Sequence, residues 1–126
     1  MSLAEPTQPP DVTMDSDTLF EINSAELSGE ARQALSALAA EIRAMDDLQR
    51  IFIAGHADST GTDAINDPLS RARARSVAAY LDQAGVDPTL MVLNGYGSRR
   101  PVASNETAAG RRANRRVEVT LERLGE

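Results

Sequence analysis

Between residues 50 and 84 the chain changes hydrophobic period, and that change leaves few folds open. Arg50-Ile51-Phe52-Ile53-Ala54-Gly55 is a short apolar run rich in strand formers, the composition of a central strand. A polar loop follows, Asp58-Ser59-Thr60-Gly61-Thr62. Asp67-Pro68 then opens a helix, with Asp as N-cap and Pro at the first helical position. The helix is expected to run to about Ala84, where Gly85 is placed to end it.

That helix carries an arginine where an apolar residue is expected. With Leu69 at zero, Ala72, Ser76, Val77, Tyr80 and Ala84 fall between about −60° and +80° on a helical wheel. This is the stripe that faces a core. Arg73 falls at about 40°, inside the stripe, whereas Arg71 and Arg75 fall at about 200° and 240°, on the solvent side. Arg73 also lies in the first turn, where the helix dipole disfavours a cation. A guanidinium cannot shed its proton to escape burial, so Arg73 requires an anionic partner. Two partners stay open on the wheel alone. One is an internal bridge, most simply to Asp58; the other is a ligand carboxylate, which the planar Arg fork suits.

The rest of the chain supplies the other layer. Residues 1–17, with three prolines and no periodicity, read as a flexible linker, leaving residues 18–126 as the domain. A linker implies an anchor or another domain upstream. Residues 18–22 alternate weakly as a first strand, and residues 23–26 turn. A helix follows, with Ser28 as N-cap, Glu30 in its first turn and an end near Asp46 and Asp47. Ala31, Ala34, Leu35, Leu38, Ile42 and Met45 form its apolar stripe. Residues 90–93 and 117–121 read as further strands, with a turn of helix between 107 and 113. The order βαβαββ predicts an α+β two-layer sandwich, with two main helices on one face of a small mixed four-stranded sheet. Parity in the last strand puts Arg115 on the helix side, near Arg73, and Arg116 on the opposite face with Glu118 as a surface residue.

Composition excludes several functions. The 126 residues carry a net charge of −6 and few aromatic side chains, which argues against nucleic acid. No apolar run reaches the ~20 residues of a membrane span. With no cysteine there is no disulfide, thiolate metal site or cysteine nucleophile. His56, the only histidine, invites a hydrolase reading with Asp58, but no nucleophile elbow accompanies it, and a hydrogen-bonded structural role fits better. Asp58, Asp63 and Asp67 do not match an EF-hand, so no metal is expected.

Gly55-His56-Ala57-Asp58-Ser59-Thr60-Gly61, Asn66 and Leu69-Ser70-x-x-Arg73-Ala74-x-x-Val77-x-x-Tyr80-Leu81 resemble the OmpA-like (OmpA/MotB C-terminal) peptidoglycan-binding domain. Gly95-Tyr96-Gly97, Pro101 and Asn114-Arg115-Arg116-Val117-Glu118-Val119 extend the likeness, as does the stretch from Leu19 to Ser28. The resemblance implies a non-enzymatic, cofactor-free periplasmic domain that holds peptidoglycan through the diaminopimelate residue of its stem peptide. It implies that Asp58 takes the ligand's ammonium group and Arg73 its carboxylate, with Asn23, Thr60, Asn66 and Arg115 lining the pocket. It further implies contact with a membrane only through an upstream anchor, in a barrel, lipoprotein, stator or secretion protein, and is compatible with a homodimer. Ala57 stands where the family usually has Thr, and Asn23 where many members have Asp. The alternatives are a wall hydrolase using His56 and Asp58, and a protein-interaction domain with an internal Asp58–Arg73 bridge.

Overall fold

A computed structural model describes residues 5–124. Four strands, β1 (Val12–Asp15), β2 (Leu48–His56), β3 (Met91–Gly97) and β4 (Arg116–Arg123), form one sheet in the order β1-β4-β2-β3. β4 runs antiparallel to both β1 and β2, whereas β2 and β3 are parallel. Helices α1 (Ser16–Leu19), α2 (Gly29–Arg43), α3 (Asp63–Gln83) and α4 (Ala108–Asn114) complete the chain, with a 3-10 turn at Pro88–Leu90. The α+β class with a mixed four-stranded sheet is as the sequence predicts. Among the described residues no helix is long and apolar enough to cross a membrane.

The core lies between the sheet and helices α2 and α3. Opposed pairs Ile51–Leu121 and Ile53–Val119, with Gly55 opposite Val117, present one face of β2 and β4. These apolar side chains pack with Leu35, Ala39 and Ile42 of α2 and with Ala74, Val77 and Leu81 of α3. Ser28 caps α2 by accepting from the Ala31 amide, and its own hydroxyl donates to the Thr18 carbonyl, which ties α2 to α1. Ala34 is exposed and Ala39 buried, so the α2 stripe lies slightly rotated from the expected one.

Three sequence expectations are corrected. The first strand is Val12–Asp15, within the segment expected as linker, and not residues 18–22. Val12 and Met14 alternate inward against the core, and Asp15 stops the strand by capping α1. Phe20 and Leu27 form only an isolated bridge that closes a turn, which leaves Ile22 exposed. The segment before β1 is also held: Gln8 donates to the Leu121 carbonyl, Asp11 accepts from the Leu121 amide, and Glu5 pairs with Arg100. Second, α3 starts at Asp63 rather than at Asp67, with Pro68 inside it. Pro68 lies past the first turn, so its missing amide forfeits the backbone bond to the Ala64 carbonyl, and Asp67 receives a two-pronged bond from Arg99 instead of capping the helix.

Third, the buried face of α3 comprises Asn66, Ser70, Arg73, Ala74, Val77, Ala78 and Leu81. Relative to the wheel it is turned by about 90° towards the small residues, which places Arg73 at the edge of the stripe. The cause is close approach. A Cβ on Gly55 would collide with the Ser70 carbonyl, and one on Gly95 would lie 2.7 Å from the Arg71 backbone nitrogen. Two sheet glycines thus let the backbone of α3 down onto β2 and β3, and only small side chains fit beneath it. Gly55→Ala is therefore expected to lower the unfolding free energy by about 2–3 kcal/mol in urea titration. A loss under about 0.5 kcal/mol would contradict this packing.

Candidate functional site

The C-terminal end of β2 is where α3, α1 and the α4–β4 junction meet. β2 turns away immediately after His56: the Ala57 amide donates to the Gly97 carbonyl, and the chain crosses to the helix side. Asp58 thereby leaves the face shared by Phe52, Ala54 and His56. It enters a cavity of about 530 Å³ whose walls include Asn23, Ala57, Thr60, Asn66, Leu69, Arg73 and Arg115. All six residues expected at the site line this one cavity. So do Asp17, Phe20 and Ser16, whose buried hydroxyl has no partner among the described residues.

Local chemistry fixes each group. Gly61 adopts φ +80°, which turns the loop back so that the Thr60 amide donates to Asp58 Oδ1 at 2.7 Å. The Thr60 hydroxyl donates to the same oxygen. Asn66 Nδ2 donates to the Thr60 carbonyl at 2.9 Å, pinning the loop to the first turns of α3. Asn23, at φ 54°, occupies the left-handed position that closes the 20–27 turn, a conformation Asn tolerates. Arg115 follows α4, and its carbonyl accepts from the Ser16 amide, which sets its side chain beside α1.

Asp58 is 4% exposed, and its Oδ2 accepts from Arg115 Nη1 at 2.5 Å. Burial raises its pKa, but the Thr60 and Arg115 bonds outweigh that, and the carboxyl is held below its ordinary range. Arg115 is shared. Its Nε and Nη2 donate to Asp17 Oδ1 and Oδ2 at 3.0 and 2.9 Å. That fork holds Asp17 below its ordinary pKa and raises that of Arg115.

Arg73 is 9% exposed and makes no ion pair with any described residue. Its Nε donates to the Ser24 carbonyl at 3.0 Å, and its guanidinium lies 5.0 Å from the Phe20 ring centroid. Burial lowers its pKa, partly offset by the field of Asp17. The internal Asp58–Arg73 bridge is thus absent: Asp58 takes Arg115 instead. A buried guanidinium with a carbonyl and a ring, but no carboxylate, can accept an anionic group.

Other expected residues lie elsewhere. His56 is buried on the opposite face of the sheet, where Nε2 donates to Glu118 at 2.9 Å and the ring stacks on Tyr96. It lines a different cavity from Asp58, so the two do not form a catalytic pair. Arg116 shares that face, as expected, but is 4% exposed rather than on the surface. Glu118, the Asn114 carbonyl and the Arg100 carbonyl accept all its bonds, so it folds inward. Asp67 is bound to Arg99, and among the described residues no His, Asp or Glu cluster is fit to hold a metal. Sequence reasoning missed Asp17, because nothing in the pattern sets it apart from the other acids of the first half of the chain.

The sequence pattern of the OmpA family matches residues 19–115, which span every pocket residue named above except Ser16 and Asp17. The chain belongs to the OmpA family. Outer membrane protein A of Bordetella avium is 44% identical over 110 residues, covering 87% of this chain and 56% of that protein. The peptidoglycan-binding protein ArfA of Mycobacterium tuberculosis is 43% identical over 89 residues, covering 71% and 27%. Among solved structures, the cell wall anchor of the T6SS from Pseudomonas aeruginosa superposes with a TM-score of 0.79 at 33% identity, covering 88% and 79%. This OmpA-family chain therefore spans about half the length of Outer membrane protein A and about a quarter of ArfA.

Acid should loosen this OmpA-family fold in a defined window. The His56 hydrogen bond prevails over burial and, with Arg116, holds Glu118 down at about 2 against an ordinary 4.5. A depressed carboxylate stabilises the fold above 4.5, and that contribution is lost as pH falls towards about 2. The midpoint of thermal unfolding is expected to fall across that window, and Glu118→Gln should flatten the fall. An equally steep fall in Glu118→Gln would contradict the assignment.

Proposed function

We propose that this OmpA-family domain binds peptidoglycan non-covalently through the diaminopimelate residue of the stem peptide. In doing so it tethers an envelope component to the wall in the periplasm. The observation that carries this reading is Arg73, a buried guanidinium without an ion pair, in the same cavity as the buried carboxylate of Asp58. The free end of diaminopimelate is an amino-acid head group, with an ammonium and a carboxylate on one carbon. Asp58 takes the ammonium and Arg73 the carboxylate; both side chains are buried, and complementary charges are worth more there than at the surface. Asn23, Thr60, Asn66 and Arg115 shape the walls. The names borne by ArfA and by the Pseudomonas anchor agree with a wall ligand.

Co-sedimentation with purified diaminopimelate-type cell wall tests the proposal. Wild type is expected in the pellet. Asp58→Ala and Arg73→Ala should each weaken binding by at least about 30-fold, the loss typical of one partner of a buried charge pair. Arg75→Ala, on the exposed side of α3, should bind as wild type. Wild type left in the supernatant, or Asp58→Ala binding undiminished, would overturn the reading.

A further inference from the structure

We infer that Asp17 is a specificity-determining residue that makes the pocket select a zwitterionic head group over a plain anion; this rests on the reading proposed above. Five charged side chains line the cavity: Asp17, Asp58, Arg73, Arg115 and the exposed Glu21, whose carboxylate bonds to none of the other four. Their bonding is uneven. Arg115 gives two of its bonds to Asp17, edge-on as a fork, and only one to Asp58. Asp17 and Arg115 therefore form one neutral pair on the half-open side of the cavity, with side chains 41% and 30% exposed. What remains is a separated pair, the carboxylate of Asp58 and the guanidinium of Arg73, which is the mirror of an amino-acid head group.

Asp58 has one oxygen to offer. Oδ1 already accepts twice from Thr60, so an incoming ammonium must share or take Oδ2, where Arg115 now sits. In the free domain Arg115 stands in for that ammonium. Asp17 is the anion that keeps Arg115 anchored, and its charge cancelled, when the ammonium arrives. Without the Asp17 charge, Arg115 would have only Asp58 to pair with. Apart from the exposed Glu21, the cavity would then hold two guanidinium groups against one carboxylate, an arrangement that repels an ammonium and attracts an anion.

The test compares two soluble probes of the same carbon skeleton, meso-diaminopimelate and pimelate, the second lacking both amino groups. Each is titrated into the full 126-residue chain, and binding is read from the amides of Thr60 and Asn66. Wild type should prefer meso-diaminopimelate. Asp17→Asn should cut that preference by at least about fivefold, and Asp17→Glu should keep it. The double variant Asp17→Asn with Arg115→Ala again leaves, beside the exposed Glu21, one carboxylate and one guanidinium. It should restore the preference to within about threefold of wild type, which mere loosening of the fold could not do. An unchanged preference in Asp17→Asn, or a double variant no better than the single one, overturns this inference and leaves the proposed function standing. A wild type without preference, matched by Asp58→Ala, overturns both.

Discussion

The seating of α3 on the sheet at Gly55 and Gly95 governs everything at this end of the molecule. Because both positions lack a side chain, the helix backbone rests directly on β2 and β3, and Ser70, Ala74 and Ala78 fill the seam. That depth carries Arg73 below the surface, over the face of the Phe20 ring, where little of it is exposed. It also brings Asn66 within reach of the loop after β2, so the loop that presents Asp58 is fastened to the helix that presents Arg73. A rigid contact between backbones thus sets the geometry of two charges that never touch each other.

Electrostatics then divides the pocket into two unlike halves. Thr60 and Arg115 between them satisfy Asp58, whereas Arg73 receives one carbonyl and an aromatic face. The domain tolerates the unpaired cation because the neighbouring Asp17 field offsets part of its burial. A second polar network, buried His56 and Arg116 with half-buried Glu118, lies on the opposite face of the sheet and shares no bond with the pocket. It links β2 to β4 on the face away from the core.

Much of the fold was legible in residues 28–121. The Ser28 cap, the apolar run of β2, the Gly85 stop and the alternation of β4 all stand where their local chemistry predicts. What could not be read depended on contacts distant in sequence. β1 is four residues long and acquires its strand character from pairing with β4, more than 100 residues later. Pro68 looked like a helix start because a first-turn proline is so favourable, yet Thr62 begins the helix five residues before Asp67. In the site, the wheel found Arg73 by its misplaced charge and left two partners open; the internal one, Asp58, is bonded to Arg115 instead. Which carboxylate meets which guanidinium depends on α1 and α4 converging, and no periodicity encodes that.

The central claim is that Asp58 and Arg73 divide an amino-acid head group between them. A crystal structure of the domain with meso-diaminopimelate bound tests it most directly. The account predicts the ligand ammonium on Asp58 Oδ2 and its carboxylate on Arg73, with Arg115 still forked on Asp17. Ligand bound outside this cavity, or in it with Arg73 still without an anion, would contradict the account.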